Sequence, residues 1–392
     1  MIFALCLLAQ DFDALRKLPF AEAEKALRTW SGELKAEKGK AVERTSKTRE
    51  GETFTYGLWV PEGYDPAKAW PLLLTLHGTN RNDEPQAGPL WMSAWLRCAA
   101  AKEKFILVAP TTVRWTWGNL KSHARIFQAL EEVRAECRVD PDRVYCDGMS
   151  MGAGGAWDMG EHYPDRWAAI APRCGAPHLR RNKDGSLRVM LGENLRNLPV
   201  YHVAGALDKL VPVEYARAGR DALKAFGYEQ VYKEYPEGGH DWSLEKDEDV
   251  VAWLEAKKRN PYPEEVVFRT YEKAFARAGW VEIVKRSEVR AQPAVHMDIH
   301  GKEAERRTEY FPDAVVRAKR TGNAIAVTGE ELKEVRLWLS DAMVDFDKPV
   351  TVTFNGRKVH DKVVKRSVET LIEDFKKRRD PGMTFAAELL VR

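Results

Sequence analysis

The period of the apolar positions changes several times along the chain, and each change predicts a different element. Over residues 11–38, Phe20, Ala23, Leu27, Trp30 and Leu34 recur at steps of three and four, one stripe of a helix. The stretch KAEKGKAVERTSKTREGE then reads as a charged, exposed connection. Alternation follows: Phe54, Tyr56, Leu58 and Val60 fall on one face of a strand, stopped by PEGYDP. WPLLLTLHG (70–78) and KFILVAP (104–110) are continuous apolar runs, the pattern of strands covered on both faces. Ile126, Leu130 and Val133 mark a helix before VDPDRVYCDGMSMG. PVYHVAG (199–205) and QVYKEYP (230–236) read as strands, each followed by a helix, in EYARAGRDALKAF and DEDVVAWLEAKKR. Strands alternating with helices imply an α/β class, a doubly wound and mostly parallel sheet with helices on both faces.

That alternation stops at NPYPEE, where two prolines in four residues mark a boundary. Beyond it RLWLS and VTVTFNGRKVH show period-two patterning, and Asn355-Gly356 between two such runs signals a tight hairpin. One amphipathic helix follows, with Val368, Leu371, Ile372 and Phe375 on its apolar side. Three segments result: residues 1–50, an apolar start and a helical stretch; 51–260, the α/β domain; and 264–392, a smaller β-rich domain.

Composition narrows the classes. Of 392 residues, 44% are hydrophobic, enough for a large core. Sixty-two basic against 59 acidic residues leave a net charge of +3, which gives no footprint for nucleic acid or an anionic membrane. No run approaches the roughly 18 apolar residues of a membrane span. Five cysteines are too few for a disulfide scaffold, and the spacings of Cys98, Cys137, Cys146 and Cys174 match no zinc pattern. The start, MIFALCLLAQDFD, has no basic n-region. It reads either as the remnant of an export signal, the favoured reading (periplasmic or secreted over cytoplasmic), or as a buried N-terminal strand.

Gly148-Met149-Ser150-Met151-Gly152 fits G-x-S-x-G in the context that motif requires: RVYC supplies a strand and GAGGAWDMGEHY a helix. The glycines two before and two after the serine let the turn close, and the turn lifts the hydroxyl above the sheet. A serine hydroxyl needs a base, and the base an orienting carboxylate. The acid is expected just after a later strand, where Asp208 stands in YHVAGALDKLVP. The base is expected in a loop after the last strand, where His240 stands in YPEGGHDW. His162 and His178 follow the serine too closely, and Asp241 adjoins His240. The backbone N–H of Met151 is one expected oxyanion donor. The other comes from the loop after LLLTLHG: Thr79, or Asn80 in its place.

The stretches LTLHG, DPDRVYCDGMSMGAGGAWDMGEHYPDRWAAIAPRCG, GALDKLVPVEYAR and GGHDW resemble the alpha/beta-hydrolase superfamily. Within it they are most similar to prolyl-oligopeptidase-type peptidases and to polyhydroxybutyrate-depolymerase and feruloyl-esterase-like enzymes, over roughly residues 52–258. The resemblance implies Ser150 as nucleophile, Asp208 as triad acid and His240 as base, with Thr79 and Met151 at the oxyanion hole and no metal or organic cofactor. The expected activity is hydrolysis of a small-molecule or polymer-linked carboxylic ester. A peptidase acting on short peptides is the alternative, followed by a non-catalytic polysaccharide-binding relative. Only about 50 residues precede the core, where prolyl oligopeptidases carry a large propeller, and the β-rich end lies outside the usual core.

TTVRWTWGN (111–119) follows a strand and is placed on the rim around the serine. Trp115 and Trp117 are therefore either an aromatic wall for substrate or plain packing. In VHMDIHG, His296, Asp298 and His300 would share one face of a strand. A divalent ion or, as the favoured reading, solvent would meet that face. EDFKKRRD reads as the solvated end of a helix.

Overall fold

The computed structural model describes residues 12–29, 32–80, 82–112, 116–182, 184–272, 274–287, 292–297, 303–309 and 314–392. The chain divides into two compact units. One is built on Gly32–Arg259. The other joins the N-terminal helices to Asn260–Ala294 and Arg307–Arg392, while Val295–Arg306 group with the first.

The first unit is a sheet of eight strands. In chain order the strands are β1 (Ala41–Lys47), β2 (Thr53–Trp59), β3 (Trp70–Leu76), β4 (Ile106–Pro110), β5 (Val139–Met149), β6 (Ala169–Arg173), a separate hairpin β7–β8 (Leu179–Arg181 and Leu187–Val189), β9 (Val200–Gly205) and β10 (Gln230–Tyr235). Their order across the sheet is β1-β2-β4-β3-β5-β6-β9-β10. From β4 to β10 every pairing is parallel, while β2 runs against both neighbours. Successive residues of the central strands feed opposite faces. Leu72, Leu74, Ile106, Val108 and Cys146 enter one buried cluster, and Leu73, Leu107 and Tyr145 enter another. This is why the runs read as continuously apolar.

Two elements depart from the sequence reading. The expected helix over 11–38 is two short ones, Phe12–Arg16 and Phe20–Arg28, parted at Pro19, which has no N–H to continue the first. The expected exposed connection contains β1. Its residues alternate in burial because it is an edge strand with one solvated face. Polar partners stand in for apolar ones there: Ser46 bonds Glu132, and Arg44 pairs with Glu136 at 2.9 Å.

The second unit holds a five-stranded sheet, β11-β16-β17-β19-β20, and a four-stranded one, β12-β13-β18-β21. Its strands are β11 (Glu265–Thr270), β12 (Arg277–Ala278), β13 (Val281–Arg286), β16 (Ala314–Thr321), β17 (Ala324–Glu330), β18 (Leu332–Leu339), β19 (Val350–Phe354), β20 (Arg357–Lys362) and β21 (Ala387–Val391); the pair β14–β15 (Gln292–Met297 and Glu303–Glu309) is a separate two-stranded sheet divided between the two groupings. The Asn355-Gly356 hairpin forms between β19 and β20, with φ of 46° and 81°. Leu15, Ala23, Ala26 and Leu27 of the N-terminal helices pack against Leu371, Ile372 and Phe375 of the helix Val368–Arg378.

Candidate active site

The chain leaves β3 for β4 on one side and returns to β5 on the other, so the carboxyl ends of β3 and β5 flank the switch point of the sheet. Crevices of open α/β sheets bind ligands there. Ser150 follows the last residue of β5 and caps the helix Met151–His162. Its φ and ψ of 57° and −120° are a conformation that L-residues rarely adopt. The serine is held there by its own N–H, which donates to the Arg173 carbonyl at 2.9 Å, and by its carbonyl, which accepts from Gly154 at 3.0 Å. A Cβ on Gly152 would lie 2.7 Å from the Leu76 carbonyl carbon and 2.8 Å from the His77 carbonyl oxygen, so helix and strand meet there only through glycine. A Cβ on Gly78 would stand 3.7 Å from that of Ser150. The backbone leading into Thr79 therefore runs beside the serine, as does the Met151 amide at the helix start.

Asp208 lies beyond β9 and His240 beyond β10, and the structure brings them together: His240 Nδ1 and Asp208 Oδ2 are 2.7 Å apart. Asp208 Oδ1 accepts from the backbone N–H of Leu210 and Val211, each at 2.8 Å, so both carboxylate oxygens are engaged. Gly205 lets the two loops approach, since a Cβ there would be 2.7 Å from the Gly238 carbonyl carbon. Cys174, at φ 52°, offers its sulfur within 4.8 Å of ligand atoms of Asp208 and His240. Burial pushes that thiol up to about 11, so it stays protonated near neutrality and does not compete as a nucleophile.

Beneath the serine lies a charged layer that pattern reading missed. The guanidinium of Arg173 is 1% exposed and stacks over the Trp242 ring at 3.7 Å and the Trp95 ring at 4.9 Å. It reaches Asp247 at 2.6 Å and Asp147 at 3.5 Å. Asp147 also accepts from the indole of Trp95 at 3.0 Å, and burial raises its carboxyl to about 6 against the pull of Arg173. Because Arg173 carries the carbonyl that holds Ser150, and Trp242 sits two residues past His240, this layer braces both loops. The Trp242 of GGHDW was the available signal.

The aromatic rim takes a different form. Trp117 is fully buried. Its indole donates to the His77 carbonyl at 3.0 Å, and its ring meets the His77 ring edge-on at 4.9 Å. An indole with no exposed face offers no wall to a substrate, so Trp117 is a packing residue that supports the turn into Thr79. Trp115 lies outside the described residues, as do the apolar start, Asp298 and His300; His296 falls in β14. Asn80 is tied to its own loop through Glu84 and to the segment after β4 through the Thr112 carbonyl.

No family model matches the chain. It is 27% identical over 170 residues to a bifunctional acetylxylan esterase/xylanase of Neocallimastix patriciarum, covering 42% of this chain and 23% of that protein. It is 31% identical over 133 residues to a poly(3-hydroxyalkanoate) depolymerase C of Paucimonas lemoignei, covering 30% of each. The chain thus spans less than a third of the length of these curated relatives. A solved thermostable esterase matches with a TM-score of 0.44 and 22% identity, over 56% of this chain and 63% of that one. The sheet order, the strand–Ser150–helix turn and the sequence matches agree on the resemblance expected from the motifs, and the chain carries the alpha/beta-hydrolase fold.

Proposed function

We propose that the protein is a serine hydrolase cleaving carboxylic esters through an acyl-enzyme, with Ser150, Asp208 and His240 as its triad. The observation that carries the reading is the 2.7 Å Asp208–His240 bond on the loops that follow β9 and β10, in a sheet whose β5 ends on a strained serine.

In this reading Asp208 holds a proton on His240 Nδ1, leaving Nε2 as an acceptor. Nε2 takes the Ser150 Oγ proton as the oxygen attacks the ester carbonyl. The amides of Thr79 and Met151 receive the charge that develops on the carbonyl oxygen. Each such donor is worth about 3–4 kcal/mol of barrier. The tetrahedral intermediate collapses, His240 gives its proton to the departing alcohol, and a water activated by His240 releases the acid. Asp208 stabilises the imidazolium throughout without itself taking the proton. The polar brace of Arg173, Asp147 and Trp95 is buried and takes no part in these transfers.

The activities named for the two sequence relatives, an acetylxylan esterase and a polyhydroxyalkanoate depolymerase, favour an ester over a peptide. We take the substrate as an ester borne by a small molecule or a polymer. The test is kinetic: p-nitrophenyl esters, feruloyl esters and acetylated sugars compared with peptide p-nitroanilides. Esters are expected to be turned over at least a hundredfold faster than amides. Comparable rates on amides would make the chain a peptidase, and no turnover of either class would leave a binding protein.

A further inference from the structure

On the helix Met151–His162, Asp158 and His162 stand four residues apart and so share one face. His178, from the segment after β6, closes on the same point. One ligand atom from each of the three lies within 4.8 Å of the others. All belong to the unit built on Gly32–Arg259, and the triad reading uses none of them.

The distances fall into two groups. Asp158 Oδ1 stands 3.2 Å from His162 Nδ1 and 3.3 Å from His178 Nε2. Both lie at the long end of N–H···O hydrogen bonds, which run about 2.7–3.2 Å, and His162 Nδ1 is also 3.2 Å from the Asp158 carbonyl. With zinc–nitrogen and zinc–oxygen bonds of about 2.0–2.1 Å, a tetrahedral edge is about 3.3 Å, the spacing of this inner set. The outer contacts are shorter. His123 Nε2 meets Asp158 Oδ2 at 2.6 Å, and His178 Nδ1 meets Glu161 Oε2 at 2.7 Å. Carboxylate partners of this kind fix the tautomer of a ligating histidine and turn its other nitrogen to a metal. The charges agree as well. Asp158 and Glu161 are 2% and 0% exposed, and Glu161 Oε1 has no hydrogen-bond partner among the described residues. A buried carboxylate oxygen without a hydrogen-bond partner is costly, and a divalent ion beside this cluster would offset that cost.

We propose that Asp158, His162 and His178 bind a divalent transition metal of the zinc type, with Glu161 and His123 as outer partners. The mixed imidazole and carboxylate donors suit zinc over calcium or magnesium. The His178 side chain is 37% exposed, which gives the ion a way in. The bound ion fastens the helix that starts at Ser150 to the segment following Cys174, a structural role independent of the proposed hydrolysis.

The test uses the full chain, stripped with chelator and titrated with zinc chloride. Elemental analysis after gel filtration is expected to find about one zinc per chain, with a raised melting temperature, and cobalt is expected to give the visible absorption of a tetrahedral site. His178→Ala is expected to lose the zinc, and Glu161→Gln to weaken it roughly 10–100-fold. His240→Ala and a His296→Ala, His300→Ala double variant are expected to retain it. If His178→Ala fails to fold, the Glu161→Gln titration decides, and binding equal to the parent overturns the proposal. So does a parent chain that takes up no zinc, or zinc whose binding follows His240 or His296.

Discussion

Asp208→Asn separates the orientation of His240 from the integrity of its loop. In the parent, Asp208 Oδ1 accepts from two backbone amides at 2.8 Å and Oδ2 faces His240 Nδ1 at 2.7 Å. Asparagine keeps an oxygen for the two amides but presents an N–H₂ to the imidazole. Nδ1 must then accept, the ring proton moves to Nε2, and Nε2 has no lone pair for the Ser150 proton. The wrong tautomer costs about 10⁴ in kcat, or about 5.5 kcal/mol at 1.36 kcal/mol per decade. The amide bonds survive, so stability should change by less than about 1 kcal/mol. Asp208→Ala removes the anchors too and should lose a further 1–3 kcal/mol or so of stability at similar activity. Stopped-flow hydrolysis of p-nitrophenyl acetate, with urea denaturation on the same samples, reads both quantities. An asparagine variant within tenfold of the parent would refute the assigned role of Asp208.

Other perturbations test separate layers. Gly152→Ala drives a methyl into the Leu76 carbonyl and should leave little soluble protein; a variant with parental melting temperature would contradict the close approach. Arg173→Leu leaves Asp147 and Asp247 without their cation and should cost about 3–5 kcal/mol in urea unfolding, where a change below 1 would refute the brace. Burial lowers His77 and His202 to about 4 from 6.5. The unfolded chain therefore binds more protons, and their contribution is held above pH 6.5 and lost as pH falls toward 4. Asp147, raised to about 6, acts in the opposite sense between about 4 and 6. Replacing His202 by Gln should flatten the acid side of the stability profile, and an unchanged slope would count against the assignment. A chain ending at residue 259 strands Leu15, Ala23, Ala26 and Leu27 without their partners and should aggregate, whereas residues 32–259 alone should stay soluble and hydrolyse p-nitrophenyl acetate. The reverse ranking in light scattering would refute it.

What could be read in advance followed the strength of the local signal. Leu72–Leu76 and Ile106–Ala109 are buried on both faces, and that burial writes an unbroken apolar run. Asn355-Gly356 carries its turn in its own backbone preference. Edge strand β1 was hidden because one of its faces is solvated and the other meets carboxylates, which leaves no apolar period. The N-terminal helices show a stripe but not its destination, because their partner lies more than 340 residues later in the chain. Ser150, Asp208 and His240 could each be singled out because each follows a recognisable strand, and the structure brings Asp208 and His240 within 2.7 Å of one another. Arg173 was not, because a buried arginine between two tryptophans and two aspartates exists only once β6 and the loop after β10 are side by side.

The central claim is that Ser150 is a nucleophile activated by His240. The most direct measurement is mass spectrometry of the folded chain after a fluorophosphonate probe, with the adduct located by peptide mapping. One adduct per chain is expected, on Ser150, absent from Ser150→Ala and slowed at least a hundredfold in His240→Ala. An unlabelled Ser150 in folded protein, or labelling that ignores the loss of His240, would contradict it.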